Sequence, residues 1–401
     1  MYDAIVIGAR CAGSPTALLL ARRAYRVLLV DRTTFPSDTI STHYIHAPGV
    51  ACLARWGLLD RIEATGCPPI PHARFDFGEV VLEGSAAPAG EIAHGCAPRR
   101  TYLDKILVDA AAAAGVDVRE GFSVDELVWR DDRVVGIRGR SGRRTSEVAW
   151  APIVVGADGK RSRVASWVGA SEYDSVPSLT YAYYSYWSGV DCTISEFTVR
   201  AGRLAIAFPT NDGLTCVIVI GPIEEFPTFR KDLERNFLEA LEIAPDLARR
   251  VREGRREEPI RGTADTNGFY RVSHGPGWAL AGDAGYHRDA ITGHGIRDAF
   301  ADAEELAGAI GEGLSGNVAM EVALARRERL RFDRTRPGYD LTAELARLAP
   351  LPPERLALYR AIEGDEAELA KFFGTITGTV PVAEFFAPDN LARILARRAA
   401  A

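Results

Sequence analysis

The sequence predicts an α/β protein in which a Rossmann-like dinucleotide-binding domain is interrupted by a β-rich domain and followed by a C-terminal helical region. Three observations carry this expectation. A strand, a glycine-containing turn, an Ala/Leu-rich helix and a second strand follow one another between Tyr2 and Val30. A strand-rich, aromatic stretch fills the middle of the chain. The texture of apolar strand, glycine turn and helix then returns at Trp278.

Each element follows from its pattern. Asp3 to Gly8 reads as a strand, Ser14 to Ala24 as a helix and Arg26 to Val30 as the strand that completes a βαβ unit. A helix is predicted over Gly49 to Trp56, and the Pro-rich run Cys67 to His72 interrupts the domain, so that residues 1–70 form its first part and 71–98 contribute two short strands to the inserted domain. The chain returns near Arg99 with a helix over Tyr102 to Ala114 and alternating strands at Val116 to Arg119, Val124 to Trp129 and Val134 to Arg140, giving a second part over 99–170. Residues 171–262 form the β-rich domain. They carry the aromatic strand Thr180 to Val190, a hairpin turning at Asn211-Asp212-Gly213, and a long helix over Thr228 to Glu253 that covers one sheet face. The third part of the dinucleotide domain spans 263–340, and 341–401 reads as short helices broken by prolines.

Composition narrows the function classes. With 401 residues, 47% hydrophobic and 25% charged, the chain is an ordinary globular protein with room for more than one core. A formal charge of -6 removes the electrostatic footprint of a nucleic-acid binder. Lysine occurs only at Lys105, Lys160, Lys231 and Lys371, which leaves few candidates for amine chemistry. The six cysteines show no C-x-x-C pair, and no metal site is expected. Neither a charged leader nor an uninterrupted apolar span is visible, so a cytoplasmic protein without membrane insertion is expected, as monomer or homodimer.

The chemistry lies in the turns. Gly8-Ala9-Arg10-Cys11-Ala12-Gly13 follows a strand and opens a helix, where free N–H groups and the positive helix end suit a phosphate. Arg10 replaces the middle glycine of G-x-G-x-x-G and offers a charge-assisted contact instead. Asp31 ends the second strand, followed by Arg32, near the roughly 20-residue spacing at which an acid accepts ribose hydroxyls. Its charge disfavours a 2′-phosphate there. The cleft therefore suits the ADP half of FAD or NAD.

Two further segments complete a resemblance. Val154 to Ser162 (VVGADGKRS) resembles the strand-then-DG motif of the group A flavoprotein monooxygenases, and Trp278 to Ala303 resembles their GD motif and flavin-facing helix. The resemblance covers about Tyr2 to Leu306 and implies a glutathione-reductase-type FAD-binding fold with a substrate-binding insertion. It implies that Gly282 lets the backbone pass close to FAD and that Asp283 accepts from a ribityl hydroxyl. It implies that Gly293, His294, Gly295 and Ile296 present the helix start to the flavin N1/O2 edge, and that Asp158 contacts the cofactor, although a turn-forming Asp-Gly is an equal reading. In Arg99-Arg100, Arg100 fits the family's phosphate-reaching arginine better. Thr42 and His43 occupy the loop after the ribose acid. The sequence departs from the family where its usual proline after GD is Ala290, and His287 and Arg288 nearby are candidates for meeting an acidic or phenolic group, with a surface pair as the alternative; with His43 they are the candidate catalytic side chains.

What the resemblance implies is a non-covalent FAD enzyme that takes electrons from NADH or NADPH. Through a C4a-hydroperoxyflavin it uses O2 to hydroxylate an aromatic or polyketide-like small molecule. A reductase or dehydrogenase of the geranylgeranyl-reductase type shares the same motifs. A flavin halogenase is the weaker alternative, because its W-x-W-x-I-P motif and early lysine are missing before Lys105. A non-enzymatic flavoprotein is weaker still, since the β-rich insertion argues for a substrate pocket.

Overall fold

In the computed structural model, which describes residues 1–142 and 145–399, the first core is a six-stranded sheet. Its order is His274–Gly275, Trp278–Leu280, Val154–Gly156, Ala4–Ile7, Val27–Val30 and Asp117–Arg119, all parallel except the first. Ala4 to Ile7 and Val27 to Val30 are fully apolar and buried on both faces, as a parallel sheet covered on both sides requires. Helices Gly13–Ala21, Arg100–Ala113 and Gly295–Leu314 pack on one face. The three-stranded sheet of Phe122–Arg130, Arg133–Ser141 and Glu147–Trp150 packs on the other.

The second core is an antiparallel-rich sheet built around Thr180–Ser188, Thr215–Pro222, Arg203–Pro209 and Ser195–Arg200, extended by Ala73–Asp76 and Val81–Gly84. Its register alternates two apolar faces. Tyr181, Tyr183, Val217 and Val219 meet one layer of helices. Ala182, Tyr184, Tyr186, Ile218 and Ile220 turn toward the dinucleotide domain.

The helix expected over Thr228 to Glu253 is a succession of short helices, including Leu233–Ala240 and Pro245–Glu253. Ala244, at φ -122° and ψ 75°, breaks it because the residue before a proline is pushed out of the helical region. Conversely, Met320–Leu345 is one helix that runs through Pro337 and past residue 340. The C-terminal helices Pro353–Ile362 and Glu366–Thr377 pack against the outermost strand of the second sheet, where Glu363 accepts the Val81 N–H at 3.4 Å and Ala370 accepts that of Ala87 at 3.0 Å. Among the described residues no helix is long and apolar enough to cross a membrane.

Candidate functional site

A cleft of about 1040 Å³ runs across the carboxyl ends of the parallel strands and ends against the second sheet. This is where an open α/β sheet leaves room for a ligand. Gly8 stands at its base with φ 104°, and a Cβ there would lie 2.3 Å from the Ala157 carbonyl oxygen. At Gly13 a Cβ would lie 1.8 Å from the Gly8 carbonyl oxygen, so helix and strand cross at a distance only glycine allows. The helix from Gly13 carries no acid in its first turn and no side-chain cap; Ser14 and Thr16 donate to the Arg10 and Ala12 carbonyls and Pro15 has no N–H, so in that turn the Gly13 N–H is the donor left for an anion.

Arg10, at the position of the missing glycine, lines the cleft and is held by Asp104 and by Ser37 Oγ at 2.7 Å. Arg100 is buried and shares the same acid, donating to Asp104 Oδ1 at 3.0 and 3.1 Å. Cys11 donates to that oxygen too, at 3.4 Å, and burial pushes its thiol above the usual range. Arg99 instead stacks over Tyr186 and pairs with Glu258. Asp104 was not singled out from the sequence. An Arg-x-x-x-Asp pair reads as an exposed helix pair, and only the tertiary fold buries it.

Asp31 accepts the Ala9 N–H at 2.7 Å and the Thr33 N–H at 2.8 Å, which ties the strand end to the glycine turn. Asp31, Arg32, Ala12 and Thr42 all border the cleft. Asp158 borders it as well, but its carboxylate caps the helix Arg163–Trp167, accepting from Arg163 and Val164 N–H groups and from Ser162 Oγ at 2.5 Å.

At the GD turn Gly282 has φ 56° and donates its N–H to Asp302 Oδ2 at 2.8 Å. Asp302, also missed in the sequence, is buried between this turn and Arg327. Asp283 is half-buried and lines the cleft near Arg100. Gly293, with φ 64°, precedes the helix Gly295–Leu314, whose first residues Gly295 and Ile296 face the cleft.

Three histidine and arginine expectations need correction. His43 is completely buried, stacks on Tyr186 and hydrogen-bonds through Nδ1 to the Ala97 carbonyl at 3.0 Å; its ring does not border the cleft, and burial holds its pKa down to about 3. A proton-transferring His43 is therefore ruled out by placement. His294 is buried behind the loop, contacting the Ile376 carbonyl and the ring of His46, so only its backbone is near the helix start. Arg288 is neither a surface residue nor a free cation: it is buried and pairs with Asp298 at 2.5 Å. Burial alone would raise the Asp298 pKa, but Arg288, Arg297 and Arg334 hold that carboxyl well below the usual range. His287 remains half-buried at the cleft, its Nδ1 bonded to the Asn267 carbonyl at 2.7 Å.

The site is thus an elongated trough with backbone donors and two arginines midway, an acid at one end, and a helix start and a β-sheet wall at the other. It suits a dinucleotide carrying a flat ring. The FAD binding domain family matches residues 1–332. The digeranylgeranylglycerophospholipid reductase of Methanosarcina acetivorans is 29% identical over 337 residues, 80% of this chain and 78% of its own. The flavin-dependent brominase Bmp2 shares the fold with a TM-score of 0.81 at 18% identity, covering 100% of this chain and 98% of that one. PqsL of Pseudomonas aeruginosa, described as a probable FAD-dependent monooxygenase, has a TM-score of 0.72 at 19% identity, over 93% and 100%.

Proposed function

Because the chain belongs to the FAD binding domain family and is an FAD-dependent oxidoreductase, we propose that it is a monooxygenase using NADH or NADPH and O2 to oxygenate an aromatic or polyketide-like small molecule. The observation that carries the reading is the closed end of the cleft, where the loop bearing Gly293 meets the apolar face of the second sheet.

The residues fit FAD. Gly8, Arg10, Cys11, Ala12 and Gly13 would hold the pyrophosphate together with Arg100. Asp31 would accept from the adenosine ribose, since a carboxylate with two backbone donors keeps further acceptor sites. Asp283 would accept from the ribityl chain. The N–H groups of Gly295 and Ile296 would face the N1/O2 edge and favour negative charge there, while Gly293, whose own N–H goes to the Ala290 carbonyl at 2.9 Å, would let the backbone turn close to the ring. When bound, FAD supplies the nicotinamide oxidation and the activation of oxygen. The protein then has to exclude water and orient the substrate, which Ala182, Tyr184, Ile218 and Tyr44 do by walling that end.

Similarity to the archaeal reductase favours a second reading, hydrogenation of a small metabolite by the same flavin. Halogenation is disfavoured: Lys160 is the one lysine among the described residues lining the cleft, and its ammonium is engaged by Asp265 at 2.8 Å. Acid precipitation of the yellow protein should release FAD into the supernatant. Aerobic turnover with a substrate panel, read by product mass, decides the reaction: a gain of one oxygen supports the monooxygenase, and a change of two hydrogens supports the reductase.

A further inference from the structure

The chain first leaves the dinucleotide domain through the strand Pro69–Ile70 and returns through Gly95–Cys96, and these strands pair antiparallel with Pro69 opposite Cys96 and Ile70 opposite Gly95. Between them in sequence lies the hairpin of Ala73–Asp76 and Val81–Gly84, which borders the second sheet. This neck is gripped from both domains. The Asn211 amide donates to Thr65 Oγ1 at 2.7 Å and accepts the Arg99 N–H at 2.8 Å, while Thr210 Oγ1 donates to the Ala97 carbonyl at 2.6 Å. From the other side Ile45 exchanges two backbone hydrogen bonds with Cys96, at 2.8 and 3.0 Å.

Cys67 and Cys96 are held between these ties. In Cys67-Pro68-Pro69 each of the first two residues precedes a proline, which turns it away from the helical region and keeps the segment extended. Side chains two apart in an extended segment share a face, and so do residues directly opposite across an antiparallel pair. Cys67 therefore stands on the face of Pro69 and Cys96, a diagonal neighbour of Cys96, and the two thiols meet in a hydrogen bond. That bond, assisted by the Ala97 N–H, holds the Cys67 thiol below its ordinary range against the effect of burial, and it pushes the Cys96 thiol up. Thiolate character, which makes a cysteine reactive, thus falls on Cys67. Cys67 follows a turn whose Gly66 is exposed and precedes the half-buried Pro68, so it lies just beneath the surface. Cys11, Cys52, Cys192 and Cys216 differ, because burial pushes each of those thiols up.

We infer that Cys67 and Cys96 are a redox-active pair that hydrogen peroxide closes to a disulfide, clamping the neck through which the chain crosses between its two domains. The Cys67 thiolate attacks one peroxide oxygen, the O–O bond breaks, and the other oxygen leaves as hydroxide. The Cys96 sulfur then attacks the Cys67 sulfenic acid and gives up its proton; the S–S bond forms, the S–O bond breaks and water leaves. Two thiols lose two electrons and one peroxide becomes two waters. A dithiol reductant reverses the change by thiol–disulfide exchange. The junction responds in this way whatever reaction the flavin carries out.

The test uses the purified holoenzyme, reduced, freed of reductant, exposed to hydrogen peroxide, then denatured and labelled with N-ethylmaleimide. Intact mass should show two labels fewer than in the unexposed protein, and the digest should contain one linked peptide pair, Cys67 with Cys96, that dithiothreitol cleaves. Cys67→Ser and Cys96→Ser, with flavin content and circular dichroism unchanged, should each lack that pair. The thermal midpoint of the wild-type holoenzyme should rise by a few degrees on oxidation and return with dithiothreitol, because the bond closes the loop from Cys67 to Cys96. Neither variant should show the rise. Unchanged labelling, a linked pair made by other cysteines instead, a sulfinic acid at Cys67 beside a free Cys96 thiol, or a midpoint indifferent to the bond each overturns the inference.

Discussion

Asp302 Oδ2 accepts the backbone N–H of Gly282 at 2.8 Å, so a side chain on the helix Gly295–Leu314 dictates where the GD turn stands. Because Arg327 takes its other oxygen, the turn, the helix and the helix Met320–Leu345 are joined through one carboxylate. Asp302→Ala should cost about 3–5 kcal/mol of stability, because it leaves the buried Arg327 guanidinium without its acid. Asp302→Asn, which can still accept from Gly282, should restore part of the FAD affinity but not the stability. Urea unfolding and FAD titration measure the two separately.

Asp283 has a different role from its neighbour. It is half-buried, borders the cleft, and makes no side-chain hydrogen bond within the described protein. Asp283→Ala should leave the fold intact and weaken FAD by about 1.5–3 kcal/mol, roughly one to two orders of magnitude in Kd. An unchanged dissociation constant in folded apoprotein would remove Asp283 from the binding set.

For Asp31 the expectation is composite. Asp31→Ala deletes a ribose acceptor and also frees the Ala9 and Thr33 N–H groups that hold the glycine turn. Asp31→Asn keeps one acceptor, so its Kd for FAD should fall between those of wild type and Asp31→Ala. Fluorescence quenching of added FAD gives the order, and equal affinities for all three would show that the acid faces solvent.

Acid should destabilise the protein before its carboxylates titrate. Burial holds His43 down to about 3 and His46 to about 4, from an ordinary 6.5, and depresses His294 as well. The unfolded chain therefore binds protons that the folded chain refuses. Stability is fully present above about pH 6.5 and falls with pH below it, by roughly 1.4 kcal/mol per pH unit for each such histidine until the folded pKa is reached. Urea unfolding between pH 7 and pH 5 should show this slope, and His43→Phe should reduce it by one histidine's share.

Much of the site was legible because it depends on local backbone demands. Gly8, Gly13, Gly282 and Gly293 stand where a positive φ or a backbone contact admits nothing larger, and such demands show as glycines at fixed offsets from a strand. Asp31 was legible for the same reason. What the sequence hid was burial. His43 and Arg288 read as polar groups near a loop, and only the packing of the two domains makes one a core ring and the other half of an internal ion pair. Asp104 and Asp302 lie on helices, where an acid is ordinary, and their importance comes from partners far away in sequence. Local signals also misjudged prolines: Pro245 starts a helix where one long helix was expected, and Pro337 sits inside one.

The helices after Pro353 do more than brace His294 and Arg297 behind the Gly293 loop. Val81–Gly84 is the last strand of its sheet, and an unpaired strand edge is a template on which another chain can polymerise. Here Glu363 and Ala370 occupy outward-facing N–H groups of that border, while Leu369 and Phe373 cover the apolar surface beside it. The C-terminal region thus covers that border. A chain cut before Pro353 would bare that border and would also lose the Ile376 and Thr377 carbonyls that hold His294 and Arg297 behind the Gly293 loop.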